Sequence, residues 1–380
     1  MFNIFLIINT ILILYFCLRS LVYIHSWKKL PIIDSFPEKT PLISVIVPAR
    51  NEEKSIGNCL DSLVKQSYPN YEIIVVNDES TDRTREIVEE FVRKDKRVNL
   101  INSKSLPKRW LGKCWSIYQG VQIAKGDWLL FSDADVIHHP DTITSVYYYS
   151  VKNNIDFLTL KFNFLVKGFW EKIVIPALMF IKTWFVPSPR KVNDMDSKAI
   201  EAKGDFIFVN RKAYEEVGEH QAVKNEFIES AALMRRFKEY RKIVALLDGS
   251  HLIKVRKFHS LREIISSYSK FYYKFFESPL NILVVLLGIL FVLGVISPFI
   301  IVLLYPFFDN RLINLLPWAL IQILIIIFVG IIVYRKDRFF PLYIIGFPLG
   351  ALVGIYIILS ALFNHLILKK KSWRGRCYDN

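Results

Sequence analysis

Cysteine is scarce in this chain of 380 residues, which contains only Cys17, Cys59, Cys114 and Cys377. These four residues are scattered, without the close pairs of a zinc site or the spacing of a disulfide framework. The sequence therefore predicts neither structural zinc nor disulfide bonds, and it favours a reducing environment that faces the cytosol.

Acidic residues are outnumbered by basic ones, 35 against 50, and the formal net charge is +15. Nucleic acid is one partner that such an excess could bind, but the sequence lacks a stripe of Lys and Arg interleaved with aromatic residues. The basic residues crowd near apolar segments instead. An anionic membrane surface or a phosphorylated substrate explains the excess better, and no nucleic acid partner is expected.

No Lys or Arg precedes the first apolar segment, Met1–Leu18, whereas Arg19, Lys28 and Lys29 follow it. The segment just reaches the roughly 17 helical residues that the hydrocarbon core of a membrane requires. A cleaved signal peptide would have basic residues before the apolar run and a small-residue cleavage site after it, and this segment has neither. We therefore predict an N-terminal anchor over residues 1–25, with the following chain in the cytoplasm by the positive-inside rule.

Charged residues are also absent from the interiors of three further apolar segments within residues 280–368, which are Ile282–Tyr305, Leu315–Tyr334 and Phe339–Leu368. Each is long enough to cross a membrane, and the lack of intramembrane charge argues against a transporter. We therefore predict a multi-pass protein of the cell membrane. The third segment is interrupted by prolines and glycines. A single crossing would leave the basic tail outside, against the positive-inside rule, whereas a re-entrant hairpin would return it to the cytoplasm, and both interpretations stay open.

Residues 40–275 have the pattern of one α/β domain. Short apolar, β-branched runs end at polar turns, and amphipathic stretches with helical spacing separate them. The runs that predict strands are Ile43–Ala49, Tyr71–Asp78, Val98–Asn102 and Asp127–Ala134. Alternating elements of this length predict a mainly parallel sheet with helices on both faces, and ligands of such sheets bind outside the carboxyl ends of the strands.

Acidic turns follow three of these strands, in the sequences PARNEE (48–53), NDESTD (77–82) and SDAD (132–135). Helix capping could explain the acidic residues of any one turn. It does not explain Asp133 and Asp135, which lie on the same side of a strand, with Glu52 and Glu53 opposite them. A divalent cation, Mn²⁺ or Mg²⁺, that also binds substrate phosphate would explain them together. Lys113, in a tight LGK turn, is either a stabiliser of a diphosphate leaving group or a solvated surface residue.

In this order, the motifs PARNEE, VNDESTD, LGKCW and FSDADV resemble those of family 2 glycosyltransferases with the GT-A fold, over roughly Leu42–Lys270. The resemblance implies a hexosyltransferase with a UDP- or GDP-linked sugar donor and with Mn²⁺ or Mg²⁺ as its cofactor. Asp78 then occupies the position that recognises the nucleotide base of the donor. Asp133 and Asp135 stand at the metal and the diphosphate, and Asp135 counts among the catalytic residues. The other donor-binding residues that it implies are Pro48, Arg50, Glu52 and Lys113.

The layout of one N-terminal anchor and several C-terminal spans, together with RWLGKCW, KVNDMDS, AKGDFIFVNRKAYEEVGEH and FIES, is similar to that of hopanoid-associated and carotenoid-modifying members of the family. This similarity implies a lipid-like acceptor, whose candidate contacts are Trp110, Gly204, Asp205 and His220. Residues 160–190 mix apolar residues with Lys and Trp and are broken at Pro176. This composition favours an interfacial helix pair that delivers the acceptor, and a core helix is the alternative.

The chain departs from the family at the general base, which is the Asp of a Glu-Asp pair in an inverting transfer. Here Glu229 is followed by Ser230. Three interpretations stay open: Glu229 is the base, the acceptor is a carboxylate or phosphate that needs no strong base, or activity has been lost. Glu226 and Asp205 are weaker substitutes for the base.

Two other interpretations compete with a glycosyltransferase. The run LLFSDADV also resembles the D-x-D strand of haloacid dehalogenase phosphatases, but two motif-bearing strands precede it, which argues against that family. A catalytically degenerate scaffold is the second alternative, and Ser230 alone supports it. His138 and His139 are interpreted as a polar turn before Pro140 rather than as metal ligands.

Overall fold

The structure, a computed structural model, describes residues 2–33, 40–273, 276, 278–307, 313–365, 371–373 and 376–378. The predicted PFFDN loop (306–310) and the basic tail (369–376) lie largely outside the described residues. The side of the membrane on which the tail lies therefore stays a prediction.

The chain divides into two compact units. The α/β unit consists of Ser26–Leu165 and Pro187–Lys257, and the helical unit consists of Met1–His25, Val166–Val186 and Phe258–Asn380. The α/β unit overlaps the predicted domain of residues 40–275 and also includes the chain from Ser26 onward. Residues 166–186 and those after Lys257 belong with the apolar helices.

The strands of the α/β unit are β1 (Ile43–Ala49), β2 (Tyr71–Asn77), β3 (Val98–Asn102), β4 (Trp128–Ser132), β5 (Val136–His138), β6 (Phe157–Lys161), β7 (Asn163–Phe164), β8 (Phe206–Asn210), β9 (Val244–Asp248) and β10 (Ile253–Val255). The α-helices within the described residues are α1 (Phe2–His25), α2 (Ile56–Val64), α3 (Thr84–Lys94), α4 (Gly112–Ile123), α5 (Thr142–Lys152), α6 (Phe169–Phe185), α7 (Pro189–Asn193), α8 (Arg211–Glu216), α9 (Glu229–Glu239), α10 (Leu261–Tyr273), α11 (Pro279–Leu304), α12 (Leu316–Lys336) and α13 (Phe347–Phe363). Short 3₁₀ helices cover His220–Val223, Tyr305–Phe307 and Pro341–Gly346, and β11 (Lys371–Trp373) pairs with β12 (Arg376–Tyr378).

The central sheet has seven strands in the order β3-β2-β1-β4-β8-β6-β9, and a smaller sheet has the order β5-β10-β7. Strands β1 to β4 pair in parallel, whereas β8 is antiparallel to both of its neighbours, β4 and β6. The predicted α/β fold with a mainly parallel sheet is confirmed, and the predicted bounds of β1 and β3 agree with the structure. The sequence pattern does not predict that β8 is reversed.

Strands β1 and β2 lie inside the sheet and are buried on both faces, which explains why their sequences are continuous apolar runs rather than alternating ones. Val45, Ile46, Ile73 and Ile74 are each at most 1% exposed. Helix α4 packs so closely on this sheet that a Cβ at Gly120 would lie only 2.6 Å from Ile46 Cγ2. Glycine at this position therefore allows the close approach of helix and sheet.

The helical unit contains four helices that are long and apolar enough to cross a membrane, over Leu6–His25, Leu280–Phe307, Leu316–Lys336 and Pro341–Phe363. The last one is a single helical run, in which the 3₁₀ turn Pro341–Gly346 continues into α13. This geometry agrees with one crossing and not with a re-entrant hairpin over the described residues. The prolines of this segment lie at helix starts, where a missing N–H costs little.

Polar side chains join three of the apolar helices within the helical unit. Asn9 of α1 donates to the Gly294 carbonyl of α11 at 3.1 Å and to Gln322 Oε1 of α12 at 3.2 Å. Gln322 in turn donates to Thr10 Oγ1 at 2.7 Å. Hydrogen bonds of this kind favour one pairing of apolar helices over others, because an unpaired amide inside an apolar bundle would be costly.

Helix α6 belongs to the helical unit and is continuous through Pro176, so the predicted break into a helix pair is wrong. A proline inside a helix removes one hydrogen bond, and close packing compensates here. A Cβ at Gly350 of α13 would lie 2.5 Å from both Ala177 Cβ and the Ile173 carbonyl oxygen. At the other end of α6, Arg19 donates to the Val186 carbonyl at 2.9 Å, so its charge caps this helix end.

We expect Gly350→Val to destabilise the helical unit, because the added side chain cannot fit between α13 and α6. Overpacking of this kind costs about 1–3 kcal/mol. Gly288→Val in α11 is the matched control, since a Cβ at Gly288 meets no described atom within 4 Å. Thermal unfolding of the full chain in detergent measures the difference. Equal melting temperatures for the two variants would contradict the close α6–α13 contact.

Candidate active site

The turns after β1 and β2 are bonded to each other, as expected for adjacent parallel strands. Asn51 Oδ1 accepts from the backbone N–H of Thr81 at 2.8 Å, and the Glu53 N–H donates to Asp82 Oδ2 at 3.1 Å. Asn51 has a φ of 53°, in the left-handed region that asparagine tolerates better than most residues. With β4 beside β1, the three predicted acidic turns lie at the same edge of the sheet.

The residues implied for the donor base take part in this junction. Asp78 is buried, and its N–H donates to the Ala49 carbonyl at 2.8 Å. The Arg50 guanidinium donates to the Asp78 carbonyl at 2.8 Å and lies 3.5 Å from the exposed carboxylate of Glu79. Pro48 pairs with Val76 inside the sheet. These contacts fix the backbone around Asp78.

Glu52 has a local structural role in the structure. Its carbonyl accepts from the N–H groups of Ser55 and Ile56, and its carboxylate accepts from the Ser55 hydroxyl at 2.6 Å. Its own N–H donates to Thr84 Oγ1 at 2.7 Å. Glu52 therefore supports the turn before α2 through its backbone carbonyl and through the Ser55 hydroxyl, and its expected contact with the donor stays a prediction.

Three carboxylates form the acidic cluster, which we define as Asp133, Asp135 and Asp205. One oxygen from each lies within 4.8 Å of the others. The first two residues follow β4. Asp205 immediately precedes β8, and the antiparallel pairing of Ser132 with Phe206 brings it alongside, so that the Asp133 N–H donates to the Asp205 carbonyl at 3.1 Å. Asp205, expected as an acceptor contact, is therefore placed as a third candidate metal ligand.

Lys113 lies between the acidic cluster and the start of α9. Its Nζ is 2.6 Å from Asp133 Oδ1, 3.1 Å from Glu229 Oε1 and 3.1 Å from the Gly204 carbonyl oxygen. Burial alone would lower the pKa of Lys113, but the carboxylates of Asp133 and Glu229 outweigh burial and raise it. Lys113 is therefore a charged, partly buried group and not a solvated surface lysine.

Lys257 is a second cation at the cluster, and the sequence analysis missed it. It follows β10 and pairs with the buried carboxylate of Asp205. Burial opposes the charge of Lys257, whereas Asp205 and Asp135 raise its pKa above the usual range. The same pairing outweighs the effect of burial on Asp205 and lowers its pKa. No motif marks Lys257, because only the pairing of β10 with β5 brings it here.

Asp135 is the carboxylate of the cluster that the lysines compensate least. Its Oδ1 is buried and has no hydrogen-bond partner within the part of the chain that the structure describes. Burial raises its pKa to about 7, against the opposing effect of Lys257 and with a further contribution from Asp133. Counting Glu229, four carboxylates face two lysines, which leaves two negative charges when all are ionised. One divalent cation carries the matching charge, and oxygen donors suit Mn²⁺ or Mg²⁺.

Glu229 and Ser230 open α9 beside this cluster. The side chain of Glu229 is 12% exposed, and Ser230 is 4% exposed. Gly204 lets the backbone pass close to both, since a Cβ there would lie 3.1 Å from Glu229 Oε1 and 3.3 Å from Ser230 Oγ. Glu229 is therefore a partly buried carboxylate beside the acidic cluster and Lys113.

Two histidines that the sequence made candidates lie in the protein interior. His220 is fully buried, and its Nδ1 lies 2.7 Å from the Tyr214 hydroxyl. His138 ends β5 and lies 3.0 Å from Ser132 Oγ, so its interpretation as a turn residue is wrong. Burial lowers the pKa of each imidazole to about 3, which keeps both rings neutral. A buried ring at His220 presents no surface to a substrate, so its expected acceptor contact is not supported.

Trp110 lies just before α4 and packs in a group of aromatic rings. Its ring centroid is 5.1 Å from those of Trp115 and Tyr118, and the Lys224 ammonium lies 5.8 Å from it. The neighbouring Leu111 N–H donates to the Lys224 carbonyl at 2.8 Å. These contacts hold the turn that leads into Lys113, and Trp110 itself remains half-buried.

Residues 44–218 match the family described as Glycosyl transferase family 2. The 4,4'-diaponeurosporenoate glycosyltransferase of Staphylococcus aureus (strain USA300) is 28% identical over 227 residues, which are 58% of this chain and 59% of that protein. An uncharacterized glycosyltransferase of Haemophilus influenzae is 39% identical over 117 residues, 31% of this chain and 35% of that protein. The chain thus spans about three-fifths of the length of the staphylococcal relative.

A mannosyltransferase from Pyrobaculum calidifontis, solved in complex with GDP-Man and Mn²⁺, has a similar structure. The TM-score is 0.53 at 15% identity, over 97% of this chain and 100% of that one. At this identity the likeness concerns the fold, which is GT-A. Asp133 and Asp135 lie within the residues that match this family, which argues against the haloacid dehalogenase interpretation. Residues 44–218 of this chain are therefore similar to family 2 glycosyltransferase domains, and the fold is that of GT-A proteins.

Proposed function

We propose that this chain is a membrane-bound, inverting glycosyltransferase that moves a sugar from a UDP- or GDP-linked donor to a lipid-like acceptor. The observation that carries the proposal is the acidic cluster between Lys113 and Lys257, at the carboxyl edge of a family 2 domain. Its residual negative charge and its oxygen ligands suit a divalent cation that binds a diphosphate.

Donor binding follows from this arrangement. Asp133, Asp135 and Asp205 would hold Mn²⁺ or Mg²⁺, which would stabilise the charge that develops on the diphosphate. The solved mannosyltransferase, in complex with GDP-Man and Mn²⁺, supports this assignment. Lys113 supplies a fixed positive charge beside the same group. Asp78, held in place by Arg50, is proposed to recognise the base.

The chemical step needs a group that accepts the proton of the acceptor hydroxyl. As the hydroxyl oxygen bonds to the anomeric carbon, the bond from that carbon to the diphosphate oxygen breaks, and the proton passes to a carboxylate. We assign that role to Glu229, which lies at the site with its Oε1 3.1 Å from the Nζ of Lys113. Ser230 lacks the charge for it, and its hydroxyl is proposed to contact the acceptor or Glu229.

The lipid-like acceptor is proposed on two grounds. Four apolar helices of this chain are candidate membrane spans, which a soluble acceptor would not require. The staphylococcal relative is named for the glycosylation of 4,4'-diaponeurosporenoate. An acceptor of apolar character is consistent with both.

The α/β unit is proposed to face the cytoplasm, because Lys28 and Lys29 follow the first span and Arg335, Lys336 and Arg338 follow the third. A Lys65→Cys variant, in a Cys377→Ser background, places one thiol at a side chain that is 63% exposed, while the other described cysteines are buried. We expect a membrane-impermeant maleimide to label it only after the cells are opened. Labelling in intact cells would contradict this orientation.

Release of nucleoside diphosphate is the direct test of the activity. The full chain in membranes is given a panel of UDP- and GDP-sugars with a lipid extract of the source cells, in Mn²⁺ or in EDTA. We expect metal-dependent release from one donor class, and a loss of roughly 100-fold or more in Asp135→Asn. Asp61→Asn is the matched control, because Asp61 is 56% exposed and forms a surface salt bridge with Lys65. Metal-dependent nucleotide binding without any release would instead favour the degenerate scaffold.

Asp135→Asn is also expected to stabilise the metal-free protein at neutral pH. An unfolded chain ionises Asp near pH 4, whereas Asp135 has a pKa of about 7 in the fold, so its ionisation works against folding. The stabilisation should be absent near pH 4, grow as the pH rises, and level off above pH 7. Thermal unfolding in EDTA measures this stabilisation.

Asp133→Asn should instead destabilise the protein, since it removes the 2.6 Å ion pair with Lys113. A change of melting temperature in the same direction for both variants would contradict this account.

Glu229→Gln separates the proposed base from donor binding. We expect transfer to fall by roughly 100-fold to 10,000-fold, the range for loss of a general base, while metal-dependent nucleotide binding persists. Ser230→Asp restores the family pair and should preserve or raise transfer in the wild-type background. Full transfer by Glu229→Gln would remove Glu229 from the mechanism.

A further inference from the structure

An irregular segment, residues 194–205, delivers two groups to the acidic cluster. Its last two residues are Gly204, whose carbonyl contacts Lys113, and Asp205, whose carboxylate pairs with Lys257. The segment connects α7 to β8 and has no helix or strand of its own. Backbone groups without a regular ladder need other hydrogen-bond partners, and side chains from other elements supply several of them here.

Lys238, in the last turn of α9, supplies three of those hydrogen bonds. The residue is only 8% exposed, and its Nζ donates to the carbonyls of Asp194 at 2.9 Å, Ser197 at 3.0 Å and Ala199 at 3.1 Å. A lysine ammonium has three N–H donors, and all three are used on this one segment. A flexible surface lysine would not meet three carbonyls in one geometry, so this contact is a built feature of the fold.

The far end of the segment has a second attachment. The hydroxyl of Thr159, buried in β6, lies 3.0 Å from both the N and the O of Lys203. The segment is therefore attached near both ends. Lys238 holds its start, and Thr159 holds it directly before Gly204 and Asp205.

Asp196, within the segment, also pairs with Arg241 at 3.2 Å, but both side chains are largely exposed, so Lys238 supplies the buried hydrogen bonds at the α7 end of the segment. Removing them would leave that end with an exposed ion pair, which contributes little, and would allow it to move.

Helix α9 links this attachment to the site. It begins at Glu229, and Lys238 lies nine residues later, about 14 Å along the helix axis. We propose that Lys238 is a positioning residue: through α9 it fixes the segment that carries Gly204 and Asp205 relative to Glu229 on the same helix. This inference rests on the proposed function, because it takes the acidic cluster as the cation site.

Lys238→Met tests the inference, because it keeps the length of the side chain and removes all three donors. We expect its Mn²⁺ affinity, measured by the electron paramagnetic resonance of free Mn²⁺ with the full chain in detergent, to fall about 10-fold, the lower range for loss of a group that supports a metal ligand. Hydrogen–deuterium exchange over residues 195–206 should become faster. Lys238→Gln, which keeps a shorter donor, gives the same comparison if Lys238→Met does not fold.

Arg211→Met is the matched control. Arg211 also donates to two loop carbonyls, those of Gly126 at 2.5 Å and Ala124 at 2.8 Å, but that loop precedes β4 at the opposite edge of the sheet. We expect it to lower the melting temperature while it leaves the Mn²⁺ affinity within about twofold of the wild type. The control therefore separates a general loss of stability from a loss of positioning.

Four outcomes would overturn the inference. Mn²⁺ affinity within twofold of the wild type in Lys238→Met would show that Lys238 stabilises the fold only. An equal loss of affinity in Arg211→Met would show the same. A wild type that binds no Mn²⁺ would overturn the cation site and this inference together, whereas intact wild-type binding with unchanged exchange over residues 195–206 would overturn this inference alone.

Discussion

Charge balance among carboxylates at one edge of the sheet is the constraint on which the site depends. Asp133, Asp135, Asp205 and Glu229 are all partly or largely buried, and each would be costly there without compensation. Lys113 and Lys257 compensate part of that charge from two sides. Asp135 carries most of the charge that the lysines leave uncompensated, and burial raises its pKa because ionising this carboxyl is costly in the metal-free protein. A site that tolerates this excess is suited to a cation that arrives with a phosphorylated substrate.

The reversed strand β8 is what makes the cluster possible. Parallel strands bring only residues at their carboxyl ends to the active edge, and β4 supplies two of the aspartates in that way. Because β8 runs antiparallel to β4, its amino end lies at the same edge and adds Asp205. Two further elements then meet there: α4 contributes Lys113 at its start, and α9 contributes Glu229 at its start. Negative charge is favoured near both helix N-termini, which agrees with the carboxylates that lie at this edge.

The helical unit follows different rules, because its helices are apolar on all sides and burial alone does not select which of them pack together. Close backbone contact at Gly350 and the hydrogen bonds of Asn9 and Gln322 determine instead which helices pack together. The same principle explains α6. Its proline would weaken a solitary helix, but packing against α13 and the cap from Arg19 keep it continuous. The lysines and tryptophans that favour an interfacial segment by composition do not outweigh those contacts.

Local patterns in the sequence determine much of this protein. The continuous apolar runs of β1 to β4, the acidic turns that follow three of them and the lengths of the four apolar helices are short-range features, so periodicity, composition and motif order predict them. Only the tertiary structure decides which distant groups meet. Asp205 joins Asp133 through the β8 pairing, Lys257 reaches Asp205 through β10, and Lys238 holds a segment some forty residues away. His220, conversely, is buried. Each of these depends on long-range contacts, and the burial that sets charge and pKa exists only after the chain has folded.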